Sequence, residues 1–149
     1  MEHIPIAMNQ NFHWYYFDWL NSGIFWQGTI LTKRKNLTSP QNLRNLRCVL
    51  PRVLEGGWHF TNMGGVTKVI NKMISTVESS ESVLKSKGAL IDENHIKNCL
   101  KNGLDIWKRN RKDCVNLIPC DIANIKLPYL SKFLKKYPYF LREYDFKDD

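Results

Sequence analysis

The stretch "EGGWHFTNMGG", from Glu55 to Gly65, sets Trp58, His59 and Phe60 between two pairs of glycines. A strand in a closed core avoids glycine, and a plain loop avoids Trp and Phe. Together they predict an extended segment whose backbone passes close to something, with Gly56-Gly57 marking a bulge or a close approach. The residues that follow switch period. Val66, Val69, Ile70, Met73, Ile74 and Val77 repeat at helical spacing, which predicts an amphipathic helix. Gly64-Gly65 stand at its N-terminus, where free backbone N–H groups and the helix dipole favour an anion.

Working outward toward the N-terminus, "NFHWYYFDWL" (Asn11 to Leu20) is almost wholly bulky, with Asp18 its only charge, and reads as a buried strand. Asn21-Ser22-Gly23 is a turn signal, and "IFWQGTILTK" (Ile24 to Lys33) reads as a second strand. Ser39-Pro40 supplies an N-cap and a first helical position, so a short helix runs to about Arg47 and carries Arg44 and Arg47 on one side. Toward the C-terminus, a helix begins near Asp92 and stops at Gly103, burying Ile96, Cys99 and Leu100. "CVNLIP" (Cys114 to Pro119) reads as a short strand. "LPYLSKFLKKY" (Leu127 to Tyr137) reads as a last helix opened by Pro128, and the acidic end "DFKDD" as frayed. Strands alternate with helices, so the expected class is α/β, a mixed sheet with flanking helices.

The totals narrow the function. The chain has 149 residues, enough for one domain with a real core, and 43% apolar against 24% charged residues argues against disorder. The net charge of +8 is unevenly spread: Lys33, Arg34, Lys35, Arg44, Arg47 and Arg52 occur with no acid between Asp18 and Glu55. Lys108, Arg109, Arg111 and Lys112 form a second group. Such clusters attract phosphates, although a solvated basic surface explains them equally well. The four cysteines (Cys48, Cys99, Cys114, Cys120) lack CxxC or finger spacing, so they read as free or buried thiols rather than zinc ligands. Neither a leader-like segment nor a membrane-length apolar run is present in the sequence, and the expectation is a soluble, cytoplasmic chain.

The opening stretch and the helix behind it, which contains Lys72, resemble the signature of glycosyltransferase family 17. Other pieces agree in order. "FHWYYFDW" and "WQGT" resemble the family's Tyr-rich strand and its Trp-x-Gly-Thr; "NLRNLR" resembles its Leu-Arg segment. "IKNCLKNGLDIWKR" resembles a pattern in which Gly103, Asp105 and Arg109 have counterparts, and "LPYLSKFLKKYPYFL" resembles its closing segment. The likeness runs from about Phe12 to Leu141. It departs from the family at two points. No paired aspartates precede the aromatic strand, so the chain is expected to be the C-terminal portion of a GT-A-like nucleotide-sugar transferase fold, incomplete at its N-terminus. After the helix, Ser75 to Glu81 keeps a serine and a glutamate but lacks the family's histidine.

The resemblance implies inverting transfer of a sugar, N-acetylglucosamine from UDP-GlcNAc, to a glycan hydroxyl, with a divalent Mn or Mg ion in the complete domain. A separate chain supplying the missing half is a further implied partner. Such a displacement needs a carboxylate base and a countercharge for the departing diphosphate. His59 is the first site candidate, as a diphosphate donor or metal ligand; the alternative is a core histidine bonded to backbone. Trp58, Gly57, Gly64, Gly65, Arg44 and Arg47 are donor-binding candidates, with packing or solvation as the alternative for each side chain. Asp105 is read as orienting a ligand or capping the turn after Gly103. Asp18 must be paired or face a site. Glu81 and Glu55 are the candidate bases. Two other readings stay open: a basic, aromatic binding module for single-stranded nucleic acid, which lacks any RNP-like motif, and an inactive remnant of the transferase fold.

Overall fold

Turn chemistry breaks the aromatic run in two. In the computed structural model, which describes residues 4–37, 39–75, 91–107 and 115–147, Asn11 to Leu20 is a hairpin and not one strand. Strand β2 (Asn11–Trp14) ends at Tyr15, whose φ of 68° lies in the left-handed region, and β3 (Trp19–Asn21) returns antiparallel with His13 opposite Leu20. The bulky composition concealed the reversal, because the turn is made by tyrosines and an aspartate and carries no glycine. The second expected strand is also shorter than its sequence suggests: only β4 (Ile30–Leu31) and an isolated bridge between Gln10 and Trp26 are extended and paired.

The helices follow their local signals closely. Helix α1 (Pro40–Leu46) has Ser39 as N-cap, its side chain accepting from the Asn42 N–H, and Pro40 at the first turn. Helix α2 (Gly65–Ser75) buries Val69 and Met73 of the predicted stripe, leaves Val66 and Ile70 half-buried and turns Ile74 to solvent. Helix α3 (Glu93–Asn102) is capped by the Asp92 side chain, buries Ile96, Cys99 and Leu100, and ends on Gly103 at φ 65°. Helix α4 (Leu130–Lys136) starts two residues after Pro128, because Tyr129 is left-handed at φ 63° and interrupts the backbone there. A last turn, α5 (Arg142–Asp145), reaches the first residue of the acidic end expected to fray, and that residue, Asp145, is tied down by the Tyr16 hydroxyl.

The remaining strands are β1 (Ile6–Met8), β5 (Arg52–Val53), β6 (Trp58–Thr61) and β7 (Leu117–Pro119). One sheet has the order β4-β1-β5, with β4 antiparallel and β5 parallel to the central β1. The other has the order β6-β2-β3-β7. Both are mixed sheets with helices, so the chain is of the α/β class. By contact the residues form two compact units, Met1–Phe12 with Phe25–His59 and His13–Ile24 with Phe60–Asp149. In the first, Ala7, Phe12 and Leu43 are the buried apolar residues. In the second, the core is larger and joins the hairpin aromatics to Val69, Met73, Ile96, Leu100, Ile106, Leu130 and Leu134.

Candidate functional site

Within the first unit, the candidates converge on Trp26. The His59 ring stacks on the Trp26 indole at 4.3 Å between centroids and 14° between planes. Phe12 closes the group, 5.1 Å from His59 and 5.3 Å from Trp26. The Arg47 guanidinium lies 5.8 Å from the Trp26 ring, within cation–π range. The same indole folds over Gly28, where a Cβ would run into its Nε1 and Cε2, so the Trp-x-Gly spacing is a steric requirement. The stack on Trp26 sets the plane of the His59 ring.

Backbone geometry supports this arrangement. Gly57 has a φ of 104°, and its carbonyl accepts from the Asn11 N–H at 2.9 Å. The Trp58 carbonyl accepts from Gln10 Nε2, and Trp58 is half-buried. A Cβ on Gly56 would press on Met8, the close approach that the glycine pair predicted. Glu55 is exposed in the turn at φ 55°. Arg44 is exposed on α1, and the Arg52 guanidinium donates to the Cys48 carbonyl.

The second unit holds the other candidates, in a different electrostatic setting. Free N–H groups were expected at Gly64-Gly65, yet the Gly64 N–H donates to the Tyr15 carbonyl at 3.2 Å. At Gly65, φ 84°, a Cβ would collide with the Asp145 carboxylate. The start of α2 thus already faces an anion of the chain's own, which suits the helix dipole. A shallow pocket of about 260 Å³ here is lined by Gly64, Gly65, Val66, Thr67, Glu93, Lys97 and Asp145. Two carboxylates against one ammonium make it a poor seat for phosphate. Tyr16 donates to Asp145 Oδ2 at 2.6 Å, and burial, with that bond second, pushes its phenol far above the ordinary range.

Asp18 is paired. Its Oδ1 accepts from the Arg142 N–H at 3.2 Å and its Oδ2 lies 3.7 Å from Arg142 Nε. Burial raises its pKa, and the Arg142 contacts oppose that rise. Asp105 accepts from the Trp107 N–H at 3.1 Å, the capping role. Phe60 packs against Phe17 at 4.8 Å and His13 at 5.4 Å, an anchor for β6. Lys72 is exposed and donates to Thr61 Oγ1. Cys48 and Cys120 are free thiols, Cys99 Sγ lies 3.6 Å from His95 Nε2, and burial pushes Cys120 up to about 11. Glu81, Arg109, Cys114 and the second basic group lie outside the described residues.

Sequence reasoning did not single out Trp26, Phe12, Tyr16 or Asp145. The first had a legible signal, since a Trp two residues before a glycine is positioned to cover it. The last pair had none, being 129 residues apart. Among the described residues no group of three or more His, Cys, Asp or Glu side chains gathers closely enough to hold a metal ion. Nor is any described helix long and apolar enough to cross a membrane. Comparison with known proteins finds no matching family model, no matching curated protein and no matching solved structure.

Proposed function

We propose that the chain is a glycosyltransferase of family 17 type, with a GT-A-like fold, that takes a nucleotide sugar and a glycan acceptor. One observation carries this reading. Of the glycines in the motif pieces, Gly57, Gly64, Gly65 and Gly103 are at positive φ, and at Gly28 and Gly56 a Cβ would meet Trp26 and Met8, whereas Gly23, outside every motif piece, has ordinary space around it. Each of these motif positions uses the backbone freedom or the small size that glycine alone provides. In this reading His59 and Arg47, joined through Trp26, face the donor diphosphate, with Arg44 exposed alongside on α1. Gly64 and Gly65 serve the fold of the α2 entry. Of the two candidate bases, Glu55 is the one within the described residues, exposed in its turn.

The test is calorimetric titration of UDP-GlcNAc with and without Mn²⁺, repeated on His59→Phe, which keeps a ring on Trp26 but removes both nitrogens. Binding to the native chain and a loss of about tenfold, roughly 1.4 kcal/mol, in the variant support the assignment. A binding response without sugar transfer to any glycan acceptor would identify an inactive remnant. No response to the nucleotide sugar, together with tight and steeply salt-dependent binding of an oligonucleotide, would overturn the transferase in favour of a nucleic-acid module.

A further inference from the structure

The three-stranded sheet carries an apolar row that the chain covers only in part. Paired residues share a face, so Leu31, Ile6, Met8 and Val53 line up across the three strands on one side. Ala7, Ile30 and Arg52 lie on the other. On the second face Ala7 is fully buried and Arg52 exposed; on the first, Ile6 and Met8 are half-buried, while Leu31 is 47% and Val53 37% exposed. Leu54, next to Val53 in sequence, is 74% exposed. An apolar sheet face in an α/β protein is ordinarily covered by an element with an apolar stripe.

Charge selects the occupant. The unit that holds this sheet has six basic residues (Lys33, Arg34, Lys35, Arg44, Arg47, Arg52) against Glu2 and Glu55. Lys33, Arg34 and Lys35 directly follow β4 and are exposed. A second copy would bring the same cations against themselves, which is repulsive. The apolar side chains that register aligns stand on paired strands and form a flat face, suited to a packed helix rather than to insertion among lipids. We infer that the Leu31–Ile6–Met8–Val53 face docks an acidic amphipathic polypeptide helix, its apolar stripe on the sheet and its carboxylates toward Lys33, Arg34 and Lys35. This inference does not depend on the transferase assignment.

The experiment follows the fluorescence anisotropy of two labelled synthetic helices with the same leucine spacing, one with glutamate and one with lysine on the polar face. Vesicles containing phosphatidylserine and sedimentation of the chain alone complete the set. The Leu/Glu peptide is expected to bind saturably. Binding should weaken by about tenfold or more in Leu31→Asp/Val53→Asp and in Lys33→Glu/Arg34→Glu/Lys35→Glu. Should the first variant melt early, the second, confined to an exposed turn, still decides. Equal binding of both peptides, insensitivity to the charge-reversal variant, preference for vesicles, or a dimer abolished by Leu31→Asp/Val53→Asp would each overturn the inference.

Discussion

His13 is 2% exposed, and its Nδ1–H donates to the Phe17 carbonyl at 2.8 Å across the hairpin turn. Burial holds its pKa below the usual histidine value, with the Phe17 bond opposing. The folded pKa lies below the unfolded one, so its contribution is present above the unfolded value of about 6.5 and is lost as pH falls through the folded value. Urea unfolding should therefore give a free energy that declines as the solution is acidified below about pH 6.5, and His13→Gln should flatten that decline. A slope unchanged in the variant would assign the effect to other groups. Gly65 makes a different demand. Gly65→Ala meets both a left-handed φ and the Asp145 carboxylate, and should destabilise the fold by about 1–2 kcal/mol, whereas Gly23→Ala should be close to neutral by the same urea measurement.

The elements that sequence predicted well are those whose signals are local. Helix α3 has its stop, start and buried stripe within a dozen residues: Asp92 accepts from Asn94 N–H, and Gly103 closes the end. Asp92→Ala should cost about 1 kcal/mol in chemical denaturation, the usual loss for a side-chain N-cap; a cost near zero would mean that the cap is dispensable. Strands were harder to read because a strand is defined by its partner. The hairpin within Asn11 to Leu20 exists because β3 finds both β2 and β7, with Trp19, Leu20 and Asn21 opposite Pro119, Ile118 and Leu117. Pro128 misled for a related reason. It is a good first helical residue, but the left-handed Tyr129 after it delays the helix.

At the scale of the whole molecule, the two units differ in how much they bury. The first rests on Ala7, Phe12 and Leu43, with strands of two or three residues in its own sheet, whereas the second buries α2 and α3 together with the hairpin aromatics. Opening free energy follows buried contacts. Native-state hydrogen exchange should therefore show the amides of Ala7 and Met8 exchanging by a lower-energy opening than those of Ile96 and Leu100. Equal protection would indicate a single cooperative unit. The free thiol of Cys48, exposed, should react with a thiol reagent well before the buried Cys99.

The sequence by itself determined the α/β class, the helices α1 and α3 with their caps, and the positions where only glycine fits, because each depends on residues a few places apart. It also named His59, Arg44 and Arg47. Tertiary structure alone decided what these residues meet. It laid His59 on Trp26, gave Asp18 to Arg142, and brought Asp145 to the start of α2, where sequence had expected open N–H groups. These outcomes depend on contacts between distant parts of the chain. Local spacing reports which conformations a segment prefers, whereas packing decides which charges and rings are left to act.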